Sequence, residues 1–337
     1  MDKKIRIKDI AKALRVSPTA VSFALNNKSG ISPELKEKIF EYATQSGYIR
    51  GMSPLKSEYI AEMSAVSDSS ILIHAGITGV LKRNGFFALR HTFYGDELLD
   101  VRKQQIAFDR ILSEDGIKGL IVVFLSLSET FLNKINKKKI PIVQINGNSH
   151  IGINLNIDEE HGGYIAAKQL IEYGHRKICF IFPDYWYDNI WNRRKAGYKK
   201  ALDEAGIEYD VDLIEPENLF TVESAGRATM NLIKRNTDMT AIIYVSDKQA
   251  LGGMKVMAQN GVKVPDDISV IGFDNTYFCD ISTPTLSSIE MQFEKCGSMA
   301  AEYLVNAVRK NSVKHETTIL RPTLVLRDSV KIIGNMK

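Results

Sequence analysis

Two short apolar stripes with helical spacing lie close together at the start of the chain: Ile10, Ala11 and Leu14, then Val21, Ala24 and Leu25. Ser17-Pro18 between them is a helix start, because the hydroxyl can accept a free backbone N–H and proline has none to lose at the first helical position. Helices this short are unstable alone in water. Ser32-Pro33 opens a third, with Leu35, Ile39 and Tyr42 as its buried stripe. Three helices with a tight turn between the first two predict a helix-turn-helix head over 1–46, a unit whose second helix enters the major groove of DNA.

From about residue 70 the pattern changes. Apolar runs of strand length at 86–91, 120–124, 140–145, 177–182, 241–245 and 269–273 alternate with helical stripes at about 69–84, 99–114, 128–138, 160–174, 190–205, 222–236 and 248–260. Segment 59–70 offers at most a short strand around Ile60. Buried strands interleaved with helices predict an α/β fold with parallel sheets covered on both faces. The units are too many for one compact sheet of this type, so two similar halves are expected. The ligand site is then the cleft beyond the carboxyl ends of their strands.

Charge sharpens the reading of the head. Residues 1–58 hold eleven lysines and arginines against six aspartates and glutamates, a net of +5, while the whole 337-residue chain is only +4. The basic excess lies entirely in the head, as counterion release from a duplex requires. A solvated basic face on a small interaction module is the plainer alternative. Hydrophobic content of 44% and charged content of 25% are ordinary for a globular protein. No apolar run approaches the ~18 residues of a membrane span, and no apolar stretch follows the Lys-rich N-terminus, so a cytoplasmic protein is expected. Cys179, Cys279 and Cys296 are widely spaced and the six histidines are scattered. No disulfide framework, metal site or cofactor is therefore expected. His175, in a Gly-His-Arg-Lys turn before a strand, reads as structural. GxGxxG, the P-loop and the GxSxG elbow are all missing, which argues against an enzyme.

Five further segments fall in a recognisable order: IKDIAKALRVSPTAVSFALNN over 7–27, RKAGY over 194–198 with ALDEAGI over 201–207, SDKQALG over 246–252, GVKVPDDISVIGFDN over 261–275 and RPTLVLRDS over 321–329. Together they resemble the lac-repressor/galactose-repressor family of bacterial transcriptional regulators, across essentially the whole chain. The resemblance implies a homodimer that binds double-stranded operator DNA through its head. It also implies a hinge over 47–60 and a core like the periplasmic sugar-binding proteins. The N-terminal core subdomain would hold 61–157 and 287–316, and the C-terminal one 158–286 and 317–330. A small-molecule effector, commonly sugar-like, would bind between them and switch operator affinity. Some family members answer instead to a phosphorylated carrier protein, for which Lys82, Arg83, Arg102 and Lys103 are candidate contacts.

Carried over residue by residue, the base-reading positions fall on Pro18, Thr19 and Phe23. Ser17 and Ser22 resemble backbone-positioning residues, and Asn26 ends the same helix. Phe23 stands where Arg is usual. Arg pairs with guanine, whereas Phe offers apolar contact, for instance to a thymine methyl; alternatively it folds back on the head's core. Arg6 replaces a helix-starting Thr, and Arg15 replaces the turn Gly. The hinge departs most: Ser57 stands at the minor-groove wedge position, and Leu55, next to Pro54, is the nearest apolar substitute.

For the effector cleft the resemblance points to Arg194, whose planar fork suits paired hydroxyls or a carboxylate. Asp247 and Asp274 occupy positions that hold polar ligand groups in the family, though Asp247 could simply cap a helix. The usual Asn-Pro-Phe start after the first core strand is absent, leaving Asp68 as the candidate there. The loop DYWYDNIW over 184–191 carries both tryptophans of the chain. Tyr185, Trp186 and Trp191 could stack on a sugar ring, with Phe220 as a further wall, or could instead form a dimer or domain contact.

Overall fold

The structure is a computed structural model that describes residues 5–26, 28, 30–46, 48, 58–98, 100–114, 116–183, 189–217, 221–235, 238–311 and 315–334. The chain divides into two compact units, 1–58 and 59–337.

The first unit is the three-helix head: α1 (Ile7–Leu14), α2 (Pro18–Leu25) and α3 (Pro33–Gln45). Ile10, Ala11, Val21, Ala24, Leu25, Ile39 and Ala43 form its core, with Leu14, Leu35 and Tyr42 packed around them. Arg6 cannot cap α1 in the way a Thr would. Its backbone N–H instead donates to the Asp9 carboxylate at 2.8 Å, so the acidic residue of the first turn closes the helix start. Arg15 sits at φ 54, ψ 43, so the turn does demand the left-handed backbone that glycine would adopt without strain.

In the second unit β1 (Tyr59–Ala65), α4 (Asp68–Arg83), β2 (Phe87–Phe93), α5 (Val101–Ser113), β3 (Ile117–Val123), α6 (Glu129–Lys138), β4 (Ile142–Ile145) and β5 (Ile153–Ile157) build the first half. Then follow α7 (Glu159–Glu172), β6 (Ile178–Pro183), α8 (Asn189–Glu204), β7 (Ile214–Glu217), α9 (Val222–Arg235), β8 (Ala241–Tyr244), α10 (Asp247–Gln259), β9 (Ser269–Phe273), α11 (Phe278–Ile281) and β10 (Ser287–Glu290). The chain ends with α12 (Phe293–Lys310), β11 (Glu316–Leu320) and β12 (Thr323–Val325). The first sheet has the order β11-β5-β4-β3-β1-β2 and is parallel throughout. The second has the order β12-β10-β9-β8-β6-β7, parallel except for the edge strand β12, which runs antiparallel to β10.

Helices cover both faces of each sheet. Ile60, Ile121 and Val123 meet Ile73 and Ile77 of α4 and Ala300 and Leu304 of α12. Phe180 and Ile243 meet Ala167 and Leu170 of α7 and Tyr198 and Leu202 of α8 in the same continuous core. The opposite faces pack on α5 and α6 in the first half and on α9 and α10 in the second.

Two expectations need correction. β1 is no fragment around Ile60: it spans seven residues, lies between β2 and β3, and is buried from Ile60 to Ser64. Glu62 disguised it. Its carboxylate is fully buried, held by His74 of α4 and by Arg90 of β2, whose Nε and NH2 donate at 3.1 and 2.9 Å. The subdomain limits also shift. β10 (Ser287–Glu290), expected in the first half, pairs with β9 in the second sheet, and β11, running to Leu320, pairs with β5 in the first. Both crossings therefore come about four residues later than the sequence suggested, at the turns that flank α12 and β11.

Candidate functional site

The head presents one face of α2. Ser17 accepts the Ala20 N–H at 3.0 Å and so fixes the helix start, with Pro18 in the first turn. Ser17, Pro18, Thr19 and Asn26 are exposed, and Ser22 and Phe23 are half-buried. Thr19, Ser22, Phe23 and Asn26 recur at helical spacing on this side. Asn26 Nδ2 donates to the Ser22 carbonyl at 2.7 Å and closes the helix. Phe23 does not join the head's core; Lys28 Nζ lies 5.4 Å from its ring centroid, a cation–π contact at the surface. Leu55, the substitute wedge, lies outside the described residues.

In the second unit a cleft of about 1920 Å³ opens beyond the carboxyl ends of the strands of both sheets. The first half contributes Ser67, Ser69 and Ser70 at the start of α4, Arg90 and Thr92 of β2, Phe124 and Asn146 just after β3 and β4, and Asn156 near the end of β5. The second half contributes Trp191, Arg193 and Arg194 of α8, Ser246 and Lys248 around the start of α10, and 274–278 after β9.

Arg194 is brought here by a close helix crossing. Gly163 of α7 and Gly197 of α8 face each other's backbones, and a Cβ on either would collide with a carbonyl of the other helix. The resulting contact seats the guanidinium, 3% exposed, against Glu159 at the start of α7. Arg194 Nε donates to Glu159 Oε2 at 2.7 Å, and NH1 donates to the Val245 carbonyl at 2.5 Å. The guanidinium carbon lies 5.0 Å from the Trp191 ring and 4.4 Å from that of Phe273. Asn146, at the end of β4 in the other half, donates to Glu159 Oε1 at 3.1 Å. A polar chain of Asn146, Glu159 and Arg194 thus joins the two halves at the back of the cleft. Glu159 was missed in the sequence because an acidic residue in a first helical turn is common for reasons of the helix dipole alone.

Asp274 also lines the cleft, at φ 102 in the left-handed region, its N–H bonded to the Ile289 carbonyl at 2.9 Å. Asp247 does not belong with it. It is fully buried and is not among the residues that line the cleft, and the cap of α10 is Ser246. Its carboxylate accepts the Thr276 N–H and the Ser288 hydroxyl, each at 2.6 Å, and so holds the 274–278 loop in place. Burial pushes its carboxyl above the usual range. Trp191 is a half-buried wall of the cleft. Tyr185, Trp186 and Phe220 fall outside the described residues, as does the side chain of Asp68, which opens α4. In its place the structure shows Ser67, whose hydroxyl accepts the Ser70 N–H at 3.0 Å.

Comparison with known proteins places these two units in a class. Residues 6–51 match the model for bacterial regulatory proteins of the lacI family, and 167–330 match that for a periplasmic binding protein-like domain. A relative named "Probable HTH-type transcriptional repressor ExuR", from Bacillus subtilis (strain 168), is 30% identical, covering 97% of this chain and 98% of its own. Among solved structures, the lac repressor dimer bound to operator and the anti-inducer ONPF aligns with a TM-score of 0.75 at 21% identity, over 98% of this chain and 100% of that one. A complex of the transcriptional regulator CelR with cellobiose aligns with a TM-score of 0.70 at 22% identity, over 96% and 99%. The fold is that of a DNA-binding transcription regulator. The chain belongs to the lacI family of bacterial regulatory proteins.

Proposed function

We propose that this protein is a transcriptional repressor, not an enzyme, whose affinity for operator DNA is set by a small molecule bound in the cleft. The carrying observation is the cleft itself: about 1920 Å³, lined by polar and aromatic groups from both halves, with a polar chain already spanning them. That volume exceeds the ~300–1,000 Å³ of ordinary ligand pockets, as an open cleft awaiting closure does. A sugar-like effector suits it. Trp191 offers an aromatic face and Asp274 a carboxylate, and a relative of the same fold carries cellobiose. Closure of the halves on the effector shifts the population between two arrangements of the body, and the heads gain or lose operator spacing.

A homodimer is the assembly that reading needs. Phe87, Ile106, Ile281 and Ile319 are large apolar side chains left exposed on the second unit away from the cleft lining, and support an association of this kind. The head reads DNA through the exposed face of α2, with Thr19 and Phe23 at base edges. The test is selection of operator sequences from a random pool, followed by the same selection with Phe23→Arg. A shift towards guanine at one position in each half-site supports the assignment, and an unchanged consensus contradicts it.

A further inference from the structure

The charged groups of the cleft are not all matched. Arg194 already holds Glu159, the Val245 carbonyl and two aromatic faces. Arg90 holds Glu62 and reaches Thr78. Arg193, one residue before the Arg that the family motif contains, is different. It lines the cleft half-buried, its Nε is buried with no hydrogen-bond partner, and it forms no ion pair among the described residues. A guanidinium cannot shed its proton at any ordinary pH. A half-buried positive charge with an unmet donor is costly until an anion joins it. On the opposite half, Asn156 at the end of β5 has the complementary defect. Its Oδ1 is a buried acceptor that meets no donor, and the residue lines the same cleft.

We infer that the effector carries an anionic group, a carboxylate or a phosphate, that pairs with Arg193, and a hydroxyl or amine that donates to Asn156. This rests on the reading of the cleft as the effector site. A hydroxylated acid of this kind satisfies one unmet group on each half at once. It therefore interacts more strongly with the closed arrangement than the open one, as a switching ligand must. The anion is the part that selects: a neutral sugar leaves Arg193 as it is.

The test is calorimetric titration of the full-length protein with glucuronate, galacturonate, glucose 6-phosphate, their neutral parents glucose and galactose, and inorganic phosphate. One acid is expected to bind about tenfold or more tightly than its neutral parent. The uronates against the sugar phosphate decide between carboxylate and phosphate. Arg193→Gln should abolish the preference for the acid, and Arg193→Lys should keep part of it. Asn156→Ala should weaken acid and neutral sugar alike. Neutral sugars binding as tightly as acids, or a preference that survives Arg193→Gln, overturns the anionic group and leaves the cleft as a sensor of uncharged ligands. Silence from every probe, inorganic phosphate included, overturns both.

Discussion

At the scale of single residues, this chain carries strain and buried charge at identifiable positions. Arg15 holds a left-handed backbone that favours glycine. Arg15→Gly should stabilise the head by about 0.5–1 kcal/mol, read as slower amide hydrogen exchange in α1 and α2 of the full chain. Exchange that is unchanged or faster would refute the account of that turn. Glu159 is the sole carboxylate paired with the buried Arg194 among the described residues. Glu159→Ala should therefore cost about 3–5 kcal/mol in denaturant unfolding, because it strands a buried positive charge. His175 supplies a pH prediction. Its Nδ1 meets the Thr240 hydroxyl at 2.8 Å and its Nε2 the Lys331 carbonyl at 3.1 Å, tying the C-terminal segment to the turn before β6. Burial lowers its folded pKa below the ordinary 6.5. The unfolded chain thus takes up the proton first, so the stability this histidine contributes is present above pH 6.5 and is lost as pH falls through the lower folded value. His175→Gln should flatten the stability profile on that acid side. An equal slope in wild type and variant would exclude the histidine as its source.

At the scale of elements, the crossing of α7 and α8 is what makes the cleft's polar chain. Gly197→Ala puts a methyl against the backbone of α7 near Glu160. It should destabilise the body by about 1–3 kcal/mol and weaken ligand binding in parallel, since Arg194 and Glu159 sit on the two displaced helices. Binding lost with no change in the unfolding midpoint would mean that the crossing does not position Arg194 through packing. Element scale is also where the sequence was most readable. The helices from α4 to α10 and the strands β2, β3, β4, β6, β8 and β9 stand within a few residues of their apolar patterns, because each is amphipathic or continuously apolar. β1 was obscured by Glu62 and Ser64, which look like a solvent face and are instead buried, Glu62 on ionic partners and Ser64 beside Thr92 at 3.4 Å. α12 was overlooked; its buried face contains Cys296, Gly297, Ala300 and Ala301, small groups that give a weak apolar signal while letting α4 approach closely. In the cleft, Arg194 and Asp274 were singled out through the family motifs that contain them, and Trp191 through the aromatic segment that leads into α8. The burial of Asp247 was not legible because its partners, Thr276 and Ser288, are distant in sequence. Arg193 and Asn156 carry no sequence signal: what marks them is an unmet bond, which only the folded arrangement reveals.

At the scale of the whole molecule, the head and the body have separate chemistry, and regulation requires that one alter the other. Coupling between effector and operator sites is reciprocal and commonly amounts to about 1–3 kcal/mol, or roughly 5–150-fold in affinity. The measurement that tests the account most directly is operator affinity of the full-length protein, by fluorescence anisotropy on a duplex chosen by pool selection, with and without a saturating cleft ligand identified by titration. The account predicts that the ligand changes operator Kd by about tenfold or more, in either direction, and that Arg193→Gln removes the change at the same ligand concentration. A ligand that saturates the cleft and leaves operator Kd unaltered would contradict the claim that this cleft controls the head.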